Sequence, residues 1–104
     1  MPSKIRHQRT TCSETQNDRA VTRAEVMALV TAERERQFGL WDRSHDWGSG
    51  DCSSLFVQPI VKVAVLTEEC GEVARAVLDL SPVDVLREEL TQVAAVCVAW
   101  LEAL

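Results

Sequence analysis

Four glutamates and one glutamine are spaced so that they can meet. Glu68, Glu69 and Glu72 form one group, Glu89 and Gln92 a second, and sixteen residues separate Glu72 from Glu89. On an α-helix, residues three or four apart share a face, so Glu69 and Glu72 stand one above the other and Glu68 reaches the same edge. The neighbours on that face are Val61, Val65 and Ala76; those of the second group are Val85, Val96 and Ala99. Carboxylates therefore interrupt surfaces that are otherwise apolar. Clustered carboxylates repel one another, and burying one without a partner costs several kcal/mol or forces it to take up a proton. A hard dication removes that conflict, and a set of oxygen donors favours Mg²⁺, with Mn²⁺ as a substitute, over zinc. Such an ion keeps positions for water and phosphate oxygens, which suits hydrolysis of a phosphoanhydride. The bland alternative is a solvated acidic helix face, and the mirrored second group argues against it.

The elements that must position these groups are helices. Pro59 suits the first turn of a helix, and the stretch from Ile60 to Leu80 contains no further proline. Ser81 reads as an N-cap with Pro82 at the first helical position and Asp84 in the first turn, opening a helix that runs to the C-terminus. In it Leu86, Leu90, Val93, Cys97, Trp100 and Leu104 recur at spacings of four and three, a seam for another helix. Two helices of similar length joined by a tight Ser-Pro turn fold back as an antiparallel hairpin. Reflection about the turn pairs positions that sum to 161, which sets Glu72 across from Glu89 and Glu69 across from Gln92. Upstream, Thr22 and Glu25 form a capping-box pattern, and Val26, Leu29, Val30 and Phe38 predict a helix over about 23–38, with Gly39 placed to end it. Leu40 to Phe56 reads as a long loop, and nothing in the chain reads as a strand. The expectation is an all-α domain over 22–104 behind a flexible tail over 1–21, the latter poor in apolar residues.

These residues carry a family resemblance. Glu68-Glu69-Cys70-Gly71-Glu72, within KVAVLTEECGEVARA, resembles the EExxE half of the MazG-like, all-α nucleoside triphosphate pyrophosphohydrolase signature, and Glu89-Leu90-Thr91-Gln92 takes the place of its ExxD half. The resemblance takes in AERERQFGLW and covers about residues 30–104. It implies that Glu69, Glu72 and Glu89 ligate Mg²⁺, with Glu68 a ligand or the base that orients the attacking water. It further implies conversion of a nucleoside triphosphate to a monophosphate and pyrophosphate, in nucleotide-pool housekeeping, by dimers or tetramers of helical hairpins. Gln92 departs from the pattern, since its amide oxygen can coordinate a metal but brings no charge. The alternative is thus a non-catalytic helical oligomer or interaction module with a degenerate metal site. A hydrolase of another phosphoanhydride, such as a nucleoside diphosphate derivative, is a third reading.

Other side chains fit a phosphate or a base. Lys62 lies nearly two turns before the glutamates and is read as meeting a phosphate tail or as solvated. Arg34 and Arg36 offer guanidinium groups to phosphates or simply decorate the first helix. Trp41, His45 and Trp47 stand in the loop, where an indole can stack on a base or cap the core.

At 104 residues, 46% of them apolar, the chain has room for one domain. A net charge of −5 argues against a nucleic-acid partner, although Lys4, Arg6 and Arg9 lie in the tail. Cys12, Cys52, Cys70 and Cys97 form no CxxC pair, so a thiolate metal site is not expected, and reduced thiols point to the cytoplasm. No apolar run is long enough to span a bilayer or to serve as a signal core. The helix over 60–80 carries Ile60, Val63, Ala64, Leu66, Val73, Val77 and Leu78 on more than one face. Three helices do not cover all of these, so the expectation is a homodimer or homotetramer whose four-helix core draws on two chains.

Overall fold

The computed structural model describes residues 21–104; the tail reading, with its basic residues and Cys12, falls outside them apart from Val21. Within that range the chain is mostly helical, with three helices: α1 (Arg23–Trp41), α2 (Pro59–Leu78) and α3 (Val83–Glu102). Between α1 and α2 lie two short strands, β1 (Ser44–His45) and β2 (Gly48–Ser49), paired antiparallel with Ser44 opposite Ser49 and His45 opposite Gly48. This ladder corrects the reading of the segment as strandless. Two residues a side are too few to show period-2 patterning, and its determinant is glycine geometry instead. Gly48 adopts φ 143°, and a Cβ there would run into the Phe56 carbonyl.

The start of α1 follows its sequence. Thr22 Oγ1 accepts from the Glu25 N–H at 3.1 Å, and Glu25 Oε1 accepts from the Thr22 N–H at 2.9 Å, a reciprocal capping box. The end does not follow. The helix passes through Gly39 to Trp41, and the Asp42 N–H closes it on the Phe38 carbonyl. A glycine ends a helix only when it takes up left-handed geometry; Gly39 stays helical.

The α2–α3 turn also differs from expectation. Pro82 occupies the N-cap of α3, and Ser81 makes no side-chain cap. Ser81 instead donates its N–H to the Ala76 carbonyl at 3.0 Å while the Leu80 N–H bonds the Val77 carbonyl at 3.1 Å. Together these form a Schellman closure of α2 with Leu80 left-handed at φ 53°.

α1 and α2 both pack on α3 and scarcely touch each other. The side of α3 that receives them is built from Ala95, Val96 and Ala99, all buried. Small side chains let two helices approach one surface without ordering long rotamers. The Leu86–Leu104 seam is therefore not the main buried stripe, and its Leu90 and Leu104 are exposed. The remaining buried apolar residues are Val30, Val57 and Ala76, and among the described residues no large side chain is fully enclosed. No helix of the described residues is long and apolar enough to cross a membrane.

Candidate functional site

Because α1 and α2 stand apart on α3, a cavity of about 290 Å³ opens between them. Its floor is Val96 and Ala99 of α3. One wall is Val61, Val65, Glu68 and Glu69 of α2, and the other is Arg36, Gln37 and Trp41 of α1. The loop closes one end with His45, Trp47, Asp51, Cys52 and Val57. Apolar walls with a few convergent charges are the usual composition of a small-molecule site.

Glu68 and Glu69 stand on the cavity wall, and Glu72 and Glu89, outside its lining, lie close enough for their charges to act on Glu69. The Glu69 carboxyl is pushed up to about 6 by burial and then by the negative charges of Glu72, Glu89, Glu68 and Glu33. Its Oε2 is buried without a hydrogen-bond partner. Glu89 is also raised, by desolvation first, then by the Glu72 charge and a carboxyl–carboxyl hydrogen bond with Glu72, with a further contribution from Glu88. Glu72 and Glu89 therefore face each other across the hairpin, as reflection about the turn requires. Gln92 enters through its backbone, its carbonyl accepting from Gln37 Nε2 at 3.3 Å.

α1 adds Glu33, which the sequence reading did not raise, and Arg36, which it left open between meeting phosphates and decorating the helix. Glu33 accepts from Arg36 Nε at 2.8 Å and Nη2 at 2.7 Å, and the Arg36 guanidinium holds its carboxyl below the ordinary range. Arg36 also feels the charges of Glu69 and Glu88, which makes it the cation of the acidic cluster. Their only sequence signal is the alternation Glu33-Arg34-Glu35-Arg36, which does not say which charges turn inward.

Arg34 and Lys62 lie elsewhere than a phosphate-facing reading supposes. Arg34 Nη1 bonds Asp51 Oδ2 at 2.8 Å, and Arg34 Nε and Nη2 both reach Glu102 at 3.0 Å. Asp51 is buried, and its Oδ1 accepts from the Ser53 N–H and hydroxyl. Arg34 thereby clamps the loop and the end of α3 to α1, with each of its three nitrogens donating to a carboxylate of that clamp. Lys62 is 3% exposed and is not part of the cavity wall, so it is neither solvated nor offered to a ligand there. Its charge falls near Cys52, whose thiol is raised mainly by burial. Trp41 and Trp47 do line the cavity, joined by His45. The His45 and Trp47 rings stack at 4.5 Å and 5°, and the Trp41 ring lies 5.7 Å from His45.

Among the described residues, no three of His, Cys, Asp and Glu converge closely enough to hold an ion as they stand. The chemistry of the donors nevertheless fits a hard dication: mutually repelling carboxylates, one with an unpaired buried oxygen, all on flexible side chains. Comparison of the chain with protein families, with curated proteins and with solved structures finds no match.

Proposed function

We propose that the chain is an Mg²⁺-dependent nucleoside triphosphate pyrophosphohydrolase of the MazG-like kind, with Mn²⁺ able to substitute. The observation that carries this reading is Glu69, a carboxylate with an orphaned buried oxygen, set among four other glutamates at the edge of an aromatic-walled cavity. Glu69, Glu72 and Glu89 would hold the ion, with the Gln92 amide oxygen as a neutral fourth donor. Once bound, the ion supplies charge neutralisation at the phosphoryl oxygens. Glu68, on the cavity wall, accepts a proton from the water that attacks the α-phosphorus. The bond to the α–β bridging oxygen breaks, and pyrophosphate leaves with that oxygen. Arg36 presents a fixed positive charge to the phosphates, a role better suited to it than to the engaged Arg34. The Trp41, His45 and Trp47 rings offer planes on which a base stacks.

The test is incubation with ribo- and deoxyribonucleoside triphosphates, with and without Mg²⁺, scoring pyrophosphate against free phosphate. Metal-dependent pyrophosphate release, reduced more than about a hundredfold in Glu72→Gln, is the expected result. Pyrophosphate release that survives Glu72→Gln would remove the site assignment. The second reading, a non-catalytic helical module, is favoured by Gln92 and by the unconverged donors. It predicts no turnover with either metal.

A further inference from the structure

Among the described residues Gln37 is the one carboxamide on the cavity wall, and its hydrogen bonds fix which end of the group a ligand meets. Nε2 donates to Glu33 Oε2 at 3.1 Å and to the Gln92 carbonyl at 3.3 Å. An amide nitrogen has two hydrogens, so both are committed. Turning the group over would set Oε1 against a carboxylate and a carbonyl, acceptor facing acceptor, and the neighbours of Gln37 therefore determine its orientation. Oε1 accepts from no described residue and is not enclosed. It is the acceptor that this side chain has left for a ligand in the cavity.

The place of Gln37 along α1 says which ligand group that is. Arg36, Gln37 and Trp41 reach the cavity from this helix as a cation, a neutral acceptor and an aromatic ring, in that order. Gln37 is anchored beside the carboxylates, because it is held by Glu33, whose charge acts on Glu69. Trp41 lies about one turn further on, roughly 6 Å along the helix axis. We propose that Gln37 Oε1 accepts a hydrogen bond from a sugar hydroxyl of the nucleotide and so determines which sugars the cavity takes. That role rests on the reading of the site as a nucleoside triphosphate hydrolase. In such a substrate the sugar lies between the phosphates and the base, and its hydroxyls are the donors there. The charged acceptors of the wall are otherwise engaged: Glu68 and Glu69 with water and the ion under that reading, and Asp51 with Arg34 and Ser53. A neutral oxygen meets a hydroxyl without adding to the negative charge that a triphosphate must approach. A sugar lacking the hydroxyl leaves this fixed oxygen desolvated and unpaired, which penalises the wrong sugar more than a loose contact would.

Binding of non-hydrolysable α,β-imido triphosphates in Mg²⁺, followed by the emission of Trp41 and Trp47, tests this without any activity readout. One base is presented on ribose, 2′-deoxyribose, 3′-deoxyribose and 2′,3′-dideoxyribose, so the series separates the two hydroxyls. The wild type is expected to bind the sugar with the recognised hydroxyl about tenfold more tightly than the sugar without it. Gln37→Met, similar in length but without the acceptor, is expected to bind the two within about twofold of each other. A merely structural role for Gln37 would weaken all four analogues alike, because the damage to α1 is common to them. Equal wild-type affinity for all four sugars overturns the proposal, as does discrimination that survives Gln37→Met. A variant that changes the ranking of bases and leaves the ranking of sugars intact overturns it too. A wild type that binds none of the analogues removes the subsite and the nucleotide reading together. Sugar discrimination lost in Gln37→Met, in a protein that releases no pyrophosphate from the natural triphosphates, upholds the subsite and removes hydrolysis alone.

Discussion

Glu69 concentrates the chemistry of this molecule in one carboxyl group. Its folded pKa, about 6, lies above the ordinary 4.5, so its contribution to stability is fully present below about pH 4.5 and is lost as the pH rises through 6. In metal-free protein the ionised form is opposed by burial and by four other carboxylates. A dication reverses the sign of that interaction. Thermal denaturation with and without Mg²⁺ is therefore expected to show a larger rise in Tm near about pH 7.5 than near about pH 4.5. Glu69→Gln is expected to raise the Tm of the metal-free protein near neutrality and to abolish the Mg²⁺ response. A Mg²⁺ effect equal at both pH values, or one that survives Glu69→Gln, would show the cation acting elsewhere.

The elements differ in how far their sequences announce them. The capping box of α1 and Pro59 at the start of α2 are local signals, and each appears where the residues place it, whereas the run read as helical to Leu80 stops at Leu78. The ends are less readable. Gly39 is equally at home inside a helix, whereas Leu80, a residue with no preference for left-handed geometry, takes that geometry because Ser81 and Pro82 must turn the chain. Leu80→Gly is expected to stabilise the protein by about 1 kcal/mol in chemical denaturation, because its side chain is mostly exposed and its backbone strain is removed. An unchanged or lower midpoint would mean that the Leu80 side chain contributes a contact that outweighs the strain. The Arg34–Asp51–Glu102 clamp has no sequence signature, since its members lie 17 and 51 residues apart. Its effect is on the loop: Asp51→Ala removes the buried acceptor of the Arg34 guanidinium and of Ser53. A loss of about 3 kcal/mol is expected, with loosening of the loop detectable in Trp41 and Trp47 fluorescence. A loss within about 0.5 kcal/mol would show that Glu102 alone satisfies Arg34.

At the scale of the molecule, the site is a consequence of α1 and α2 resting on the same small-residue floor without meeting. The pairing of Glu72 with Glu89 could be read from sequence because a tight turn imposes reflection on a hairpin. The arrival of Glu33 could not, and Arg36 stayed open between phosphate and surface, because nothing local fixes the rotation of α1 about its axis. The same limit applies to Lys62, which periodicity places on α2 but only packing places in the interior. What unites these parts is an acidic cluster short of positive charge, opening on a cavity walled by aromatic rings.

That cluster is tested most directly by metal binding itself. Mn²⁺ titrated into the full chain and followed by electron paramagnetic resonance, with Mg²⁺ as competitor, measures the ion without reference to substrate or product. The expected result is saturable Mn²⁺ binding displaced by Mg²⁺, weakened at least tenfold by Glu69→Gln and by Glu72→Gln, and unaffected by Arg34→Gln. No saturable binding by the wild type, or binding equal in wild type and both glutamate variants, would contradict a divalent-cation site at these residues.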